Sequence, residues 1–429
     1  TLYSMSAADY DNDGDLDILF HGEERSNGPN PYNNLTLLDA GTLERIGQMD
    51  LLRNGGKCFI SGVTQRRSDR RLIYTGSCNT NLEGNPPLVK PGNAGIFKQF
   101  LGSVSTNTLS SGQRVPLLEN LFLDDDTDPA EQVFSQGIQL HPASTMAFVG
   151  GQIQSPGGDP GGYLNRVTGV PSNVNTSPIA RFPGKPFTDF LLDRTLNIDA
   201  FATQISGSNR QLFLELIDPE AFNVFDSFPI GPVGGGGNFT QRGATTPTRS
   251  HPTVLGVVRS PLPVTPGAPQ SNFGGGSSDA GVIQIETLQL DPLGIVTGGS
   301  FTPAPLVPYG FYTAFIDWPD ILGLRVPDLM NNKFQSNAAG MEVLLNGKPA
   351  PITAISPRQF NFIAHEDVNQ KSQATVQLRY RSRPGDQPLL SNIVRMATAD
   401  HWVNFFKIGQ TVAAIHSRGV LSRNNPLRQ

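Results

Sequence analysis

The feature that most constrains the fold of this chain is a strand–turn–strand unit that recurs within its first three hundred residues. Residues 34–49 (NLTLLDAGTLERIGQM) and 212–230 (LFLELIDPEAFNVFDSFPI) share this unit, and residues 281–297 (GVIQIETLQLDPLGIVT) form a looser copy. Apolar and polar residues alternate on both sides of each turn. A period of two indicates strands rather than helices, so the first part of the chain is predicted to be all-β.

The first two copies carry anchor residues at matching offsets: Asp39, Leu43 and Ile46 in one, Asp218, Phe222 and Phe225 in the other. Units of three or four short strands, recurring about every 50–60 residues, cannot bury their faces alone. Radial stacking buries those faces and protects the strand edges. The repeats therefore predict a β-propeller of about five to seven blades over residues 1–304.

The Asp-x-x-x-Leu turn between Asp39 and Leu43 resembles the turn of secreted bacterial propellers of the YVTN type.

The composition fits many short strands, because 46 residues are glycine and 35 are proline. The length of 429 residues favours two domains. The net charge of −5 gives no basic surface for nucleic acid, and no apolar run reaches the roughly 18 residues that a membrane span needs.

Residues 305–429 are predicted to form a second, immunoglobulin-like β-sandwich domain, and the proline-rich segment 302–310 marks the boundary. Three stretches resemble the C-terminal β-sandwich of secreted proteins from Acidobacteria such as Solibacter: LNGKPAP at 345–351, ISPRQFNF at 355–362 and VAAIHSRGVLSRNNP at 412–426. That family has no assigned activity. The resemblance therefore implies secretion and a sandwich fold rather than a chemistry.

The sharpest local motif is DYDNDGDLDILF at residues 9–20. Aspartates occupy positions 1, 3, 5 and 9 of this segment: Asp9, Asp11, Asp13 and Asp17. Alternate carboxylates in a turn made by Gly14 converge on one point, and such hard oxygen ligands suit Ca²⁺. An EF-hand needs a glutamate at position 12, where Phe20 stands. The alternative is a solvated acidic turn.

This motif resembles the FG-GAP (VCBS) calcium loop of integrin-like propellers. The resemblance implies that Ca²⁺ is bound by four side chains and by one backbone carbonyl, that of Asp15. The side chains would be those of Asp9, Asp11, Asp13 and Asp17. A second acidic cluster, made of Asp124, Asp125, Asp126 and Asp128, lacks the glycine, which favours a solvated loop over a cation site.

The two cysteines, Cys58 and Cys78, stand on two neighbouring predicted strands. A disulfide there would close a loop of about 20 residues and stabilise the fold by roughly 3 kcal/mol on a chain-entropy estimate. Two inert thiols are the alternative. No CxxC pair is present, which excludes zinc-ribbon and thioredoxin-like sites.

No catalytic motif is visible. No GxSxG, P-loop or GxGxxG signature follows a predicted strand, and the six histidines have neither HxH nor HExxH spacing. The sequence therefore predicts a protein that is not an enzyme. A pair of carboxylates for glycoside hydrolysis cannot be located from sequence, because any two acids could meet in the fold.

These features predict a secreted structural or adhesive protein with a structural calcium loop, such as a self-assembling subunit of a surface fibre or sheath. The expected partners are further copies of the chain, or a cell-surface or matrix component. The alternatives are a propeller enzyme (a lactonase or a polysaccharide hydrolase or lyase) and a glycan-binding module.

Overall fold

The structure is a computed structural model, and it describes most of the chain. The described residues are 2–10, 14–15, 17–24, 32–51, 57–66, 69–81, 95–105, 120–122, 129–141, 144–169, 175–176, 179–192, 196–206, 209–230, 239–245, 253–258, 279–285, 288–317, 334–356, 358–381, 383, 385, 388–408, 411–416 and 419–421. These residues form strands and turns and no helix, which confirms the all-β prediction. In this part of the chain no helix has the length and apolarity to cross a membrane.

The described residues through 284 form five antiparallel sheets that follow one another along the chain. Sheet 1 contains β1 (Leu2–Ala8), β2 (Asp17–Glu24), β3 (Tyr32–Asp39) and β4 (Arg45–Leu51); sheet 2 contains β5 (Cys58–Arg66), β6 (Arg71–Cys78), β7 (Lys98–Ser105) and β8 (Asn120–Phe122). Sheet 3 contains β9 (Gln132–Leu140), β10 (Ala147–Gln154), β11 (Gly161–Thr168), β12 (Asn175–Thr176) and β13 (Ala180–Phe182). Sheet 4 contains β14 (Phe187–Leu192), β15 (Ile198–Ser206), β16 (Asn209–Ile217) and β17 (Val224–Ile230); sheet 5 contains β18 (Phe239–Thr245), β19 (Thr253–Val258) and β20 (Asp279–Gln284).

Consecutive sheets pack face to face in chain order. Apolar side chains of sheets 1 and 2 share one buried cluster, and further clusters join sheets 2 and 3, sheets 3 and 4, and sheets 4 and 5. The first strand of each sheet also lies against the first strand of the next: β1 against β5, β5 against β9, β9 against β14, and β14 against β18. Sheets 2 to 4 therefore have neighbours on both faces, which is why the central strands β6 and β10 are buried along most of their length.

The repeated turn has the same backbone geometry in both of its predicted copies. In the β3–β4 turn, the Leu43 amide donates to the Asp39 carbonyl at 2.8 Å, and Leu43 has a φ of 60°. In the β16–β17 turn, the Phe222 amide donates to the Asp218 carbonyl at 2.8 Å, and Phe222 has a φ of 53°. The strand–turn–strand unit predicted from these two segments is confirmed.

The looser copy at residues 281–297 is not such a unit. Its two strands belong to different sheets, because β20 pairs with β19 while the following strand, β21 (Gln289–Thr297), pairs with β22 (Phe311–Asp317). A third turn of the repeated type follows β21 instead. There the Phe301 amide donates to the Thr297 carbonyl at 3.0 Å, and Phe301 has a φ of 54°.

The C-terminal part contains two sheets that face each other across one apolar core. Its further strands are β23 (Met341–Leu345), β24 (Lys348–Ala350), β25 (Ile352–Ser356), β26 (Gln359–Ile363), β27 (Gln373–Tyr380), β28 (Leu389–Leu390) and β29 (Val394–Ala397). Sheet 6 has the order β21-β22-β26-β25; sheet 7 has the order β24-β23-β27-β28, with β29 also paired to β27. Leu290, Tyr312 and Phe360 from sheet 6 meet Val343 and Val376 from sheet 7 in the core.

The strand β21 lies on the N-terminal side of the predicted boundary between residues 304 and 305, yet it pairs with β22 on the other side. The boundary itself stays a prediction. A last sheet, sheet 8, contains β30 (Val403–Ile408), β31 (Thr411–His416) and β32 (Gly419–Leu421).

Candidate functional site

The predicted calcium loop connects β1 to β2. Ala8, the last residue of β1, pairs with Asp17, the first residue of β2, so the two strands form a hairpin and Asp9 and Asp17 flank its loop. Gly14 has a φ of 101°, a left-handed conformation that glycine adopts without steric cost. Asp15 is exposed, whereas Asp11 and Asp13 lie outside the described residues.

The two flanking carboxylates are withdrawn from water. Asp17 is buried, and its Oδ2 accepts a hydrogen bond from the Tyr10 amide at 2.8 Å. The Oδ1 atom of Asp9 is buried too, and no donor among the described residues reaches it. A buried carboxylate oxygen without a partner is costly, and a hard cation bound there would remove that cost.

Among the described residues, no group of three or more acidic, histidine or cysteine side chains is placed to hold a metal ion. Because two of the five predicted ligands lie outside them, the described part of the loop supplies only Asp9, Asp15 and Asp17. The calcium site therefore stays a prediction at this point. The second acidic cluster, Asp124, Asp125, Asp126 and Asp128, lies wholly outside the described residues.

Cys58 and Cys78 form a disulfide. Cys58 opens β5 and Cys78 ends β6, and the two residues face each other in the strand register. The bridge therefore joins the two strands directly across the pair, and both half-cystines are buried in the apolar cluster between sheets 1 and 2.

An ion pair between a partly exposed lysine and a buried carboxylate joins the segment before β14 to β16 in sheet 4. The carboxylate of Glu215 is fully buried, and its Oε1 accepts from Lys185 Nζ at 2.7 Å and from Ser227 Oγ at 3.0 Å. No donor among the described residues reaches the Oε2 atom. The sequence contained a signal for this pair, because Glu215 interrupts the apolar run LFLELI, but it did not indicate the partner.

Sheet 4 is also tied to the C-terminal part by polar contacts. The guanidinium of Arg395 on β29 binds the carboxylates of Asp218 and Glu220, at 3.0 Å for Glu220 Oε2. The Leu390 amide donates to Asp226 Oδ2 at 2.9 Å, and burial raises the pKa of Asp226 above its ordinary value. These residues were not predicted as functional from the sequence.

The outward face of sheet 6 presents two aromatic rings to solvent. Phe301 and Phe315 are 54% and 37% exposed, and their ring centroids lie 6.3 Å apart. Polar side chains lie on the same face, where Thr313 Oγ1 and Gln359 Nε2 both donate to Asn361 Oδ1, at 2.9 and 2.8 Å. Thr313 is buried, so the half-buried amides of Gln359 and Asn361 are the polar groups of this face. An exposed apolar surface bordered by amides is a form that ligand-binding surfaces take.

Comparison with known proteins gives no family. No family model matches the chain, and no curated protein matches it. The matches among solved structures include the GH32 beta-fructofuranosidase BmSUC1 from Bombyx mori and a mutant of that enzyme in complex with sucrose. Each is 12% identical in sequence over 94% of this chain and 79% of the matched chain, with a TM-score of 0.33. This degree of likeness assigns neither activity nor substrate to this chain.

The comparison does contradict one sequence-based prediction. A structural or adhesive protein, such as a self-assembling subunit of a fibre or sheath, was expected, but the matched structures are those of a fructofuranosidase. That prediction is wrong and is not carried further. The resemblances to FG-GAP, YVTN-type and Solibacter-type proteins stay predictions, because no family model matches.

Proposed function

We propose that this chain is an extracellular calcium-binding protein that recognises a ligand rather than transforming one. In this proposal the first five sheets are blades of a β-propeller, and sheets 6 and 7 form an immunoglobulin-like sandwich. The propeller reading is supported by the packing of consecutive sheets and by the contacts between their first strands. The disulfide between Cys58 and Cys78 is the support for secretion, because such bonds persist in oxidising compartments.

The observation that carries the calcium proposal is the buried Oδ1 of Asp9, which no described donor reaches, at the opposite end of the loop from the buried Asp17. The side chains of Asp9, Asp11, Asp13 and Asp17 and the carbonyl of Asp15 would hold the ion. Calcium would supply the positive charge that lets these carboxylates share one loop.

The loop is connected to the neighbouring sheet, so its order matters beyond the hairpin. The Tyr10 amide donates to Asp17, while the Tyr10 carbonyl accepts from Gln65 Nε2 on β5 at 3.0 Å. Fixing the carboxylate of Asp17 therefore fixes the contact between sheets 1 and 2. We expect calcium to stabilise this junction.

Thermal and urea unfolding with and without Ca²⁺ tests the proposal. A ligand present at 100 times its Kd should raise the free energy of unfolding by about 2.7 kcal/mol. Asp9→Asn should abolish this increment without lowering stability in chelator, because it removes a buried charge. Asp159→Asn, in an exposed turn of sheet 3, should keep the increment. If the wild-type protein unfolds identically in Ca²⁺ and in chelator, the proposal fails.

Binding of a neutral glycan is a second candidate function, and the outward face of sheet 6 favours it. The faces of sugar rings carry C–H groups that stack on aromatic rings, while amides and hydroxyls bind sugar hydroxyls. Phe301 and Phe315 beside Asn361 and Gln359 offer both kinds of contact. A glycan array probed with the wild-type protein and with Phe301→Ala/Phe315→Ala tests this candidate; equal signals from the two would reject the site.

A further inference from the structure

The disulfide and the predicted calcium loop contribute to one apolar cluster between sheets 1 and 2. Cys58 and Cys78 lie in this cluster on the side of sheet 2. Leu35 and Met49 belong to it on the side of sheet 1, and so does Tyr10 from the loop, which is only 4% exposed. The loop is therefore packed into the same interface that covers the disulfide.

This packing withdraws the disulfide from solvent. Cys58 is 2% exposed and Cys78 is fully buried. A thiolate reductant must reach one of the two sulfur atoms before it can break the bond. Because both half-cystines lie in the cluster that sheet 1 covers, reduction requires sheet 1 to move away from sheet 2. The rate of reduction therefore measures how often this interface opens.

The loop contacts the same interface at the other end of β5. Cys58 is the first residue of β5 and Gln65 is the last but one, and Gln65 Nε2 donates to the Tyr10 carbonyl at 3.0 Å. The Tyr10 amide donates to Asp17, one of the proposed calcium ligands. The backbone of Tyr10 thus connects a calcium ligand to sheet 2, while its ring packs in the cluster. Ordering of the loop therefore stabilises the packing of sheet 1 on sheet 2.

On the basis of the calcium function proposed above, we propose that the loop between β1 and β2, when it holds calcium, prevents dithiols from reaching the Cys58–Cys78 disulfide. With the ion bound, sheets 1 and 2 stay packed and the bond is protected. Without the ion, the interface opens more often and the bond is reduced. The loop therefore makes the redox state of sheet 2 depend on calcium.

The chemical step is an ordinary thiol–disulfide exchange. A thiolate of the dithiol attacks one of the two sulfur atoms, forms a mixed disulfide and displaces the other cysteine as a thiolate. The second thiol of the reagent then displaces the remaining cysteine. The disulfide of the protein gains two electrons and becomes two thiols, and the dithiol loses two electrons and leaves as a cyclic disulfide.

The test is the rate at which dithiothreitol reduces the full chain, measured by alkylation of the released thiols and mass spectrometry. If the opened form does not bind the ion, the rate should fall by the factor 1 + [Ca²⁺]/Kd, which is about 100-fold at 100 times the Kd. The Kd is obtained independently from the calcium dependence of unfolding. Asp9→Asn should be reduced at the same rate with and without calcium, whereas Asp159→Asn should behave as the wild-type protein does.

Gln65→Met keeps the length of the side chain but removes the amide that donates to Tyr10, so calcium should slow its reduction by a smaller factor. Gln139→Met is the matched control, because Gln139 Nε2 donates to the Phe190 carbonyl between sheets 3 and 4 at 3.3 Å; it should keep the wild-type calcium effect. Equal losses in these two variants would overturn the role of the Tyr10 contact.

The outcome also separates this proposal from the calcium site on which it rests. If calcium stabilises the protein against unfolding but leaves the rate of reduction unchanged, the disulfide becomes accessible without separation of sheets 1 and 2. The link to the disulfide is then overturned, while the calcium site stands. If neither unfolding nor reduction responds to calcium, both proposals fail.

Discussion

Tyr312 shows how one buried polar group fixes a local structure. Its ring lies in the core between sheets 6 and 7, and its hydroxyl donates to the Pro305 carbonyl at 2.6 Å and accepts from the Val307 amide at 2.9 Å. The hydroxyl therefore ties the proline-rich segment to the strand that follows it. Burial raises the pKa of Tyr312 to about 12, although the hydrogen bond from Val307 acts in the opposite direction.

The raised pKa predicts a loss of stability in alkali. Because the unfolded pKa is about 10, the contribution of the neutral hydroxyl is complete below pH 10 and is lost as the pH rises through 12. Tyr312→Phe should lower the free energy of unfolding by roughly 1–3 kcal/mol at neutral pH. The variant should also lose less of its free energy of unfolding than the wild-type protein does between pH 10 and 12. Urea unfolding over a pH series measures both effects. Tyr309→Phe, at an exposed tyrosine whose pKa is raised by its hydrogen bond to Glu366, should change the slope much less, because solvent weakens that contact; a wild-type slope in Tyr312→Phe would contradict the assignment.

Single residues differ in how far the sequence could predict them. The cysteines could be placed on neighbouring strands, because the alternation on both sides of the intervening polar turn indicates a hairpin. Glu215 could be recognised as a charge in an apolar strand, but its partner Lys185 could not, since the contact depends on the path of the chain between β13 and β14. Asp9 could be predicted as a ligand, whereas the burial of its Oδ1 could not.

At the scale of elements, the repeated turn was predictable only where an aspartate marks it. The side chain of Asp39 accepts from the amide and the hydroxyl of Thr42, a local pattern that the sequence displays. In the turn after β21, hydroxyl groups take the place of the aspartate carboxylate. There Thr297 Oγ1 and Ser300 Oγ lie 2.7 Å apart. Apolar and polar residues alternate in β20 and β21 as they do in a hairpin. Only the sheet pairing shows that the two strands belong to different sheets.

The turn geometry predicts opposite effects of glycine at two equivalent positions. Leucine in the left-handed region costs roughly 1–2 kcal/mol, so Leu43→Gly should raise the free energy of unfolding by about 1 kcal/mol, since its side chain is largely exposed. Phe222→Gly gains the same backbone relief but loses a side chain packed on Phe148, so it should be destabilised by roughly 2–4 kcal/mol. Denaturant unfolding of the two variants, at the lowest usable protein concentration, measures both changes in the free energy of unfolding. Equal changes of one sign would show that the packing of Phe222 on Phe148 does not distinguish the two positions.

At the scale of the whole molecule, the repeated turn of sheet 4 has a second role. Asp218 Oδ1 accepts from the Glu220 amide at 3.0 Å, as the turn requires, while its Oδ2 binds Arg395 of sheet 7. The sequence predicts the first contact from local spacing. It could not predict the second, because 177 residues separate the partners and only the folded sheets bring them together. The same holds for Asp226 and the Leu390 amide.

These contacts predict that sheet 4 and the C-terminal sheets unfold together, and Arg395 is the residue with which to test it. Arg395→Met keeps an aliphatic stem but leaves the buried carboxylate of Asp218 without its cation, at a cost of roughly 3 kcal/mol. Calorimetry should then resolve two transitions where the wild-type protein has one, and proteolysis should cleave first between the two parts. Arg379→Met is the matched control, because Arg379 binds Glu342 within sheet 7 and its loss should lower stability without dividing the transition. A single transition in Arg395→Met, shifted as in the control, would mean that the two parts are coupled by apolar packing rather than by this ion pair.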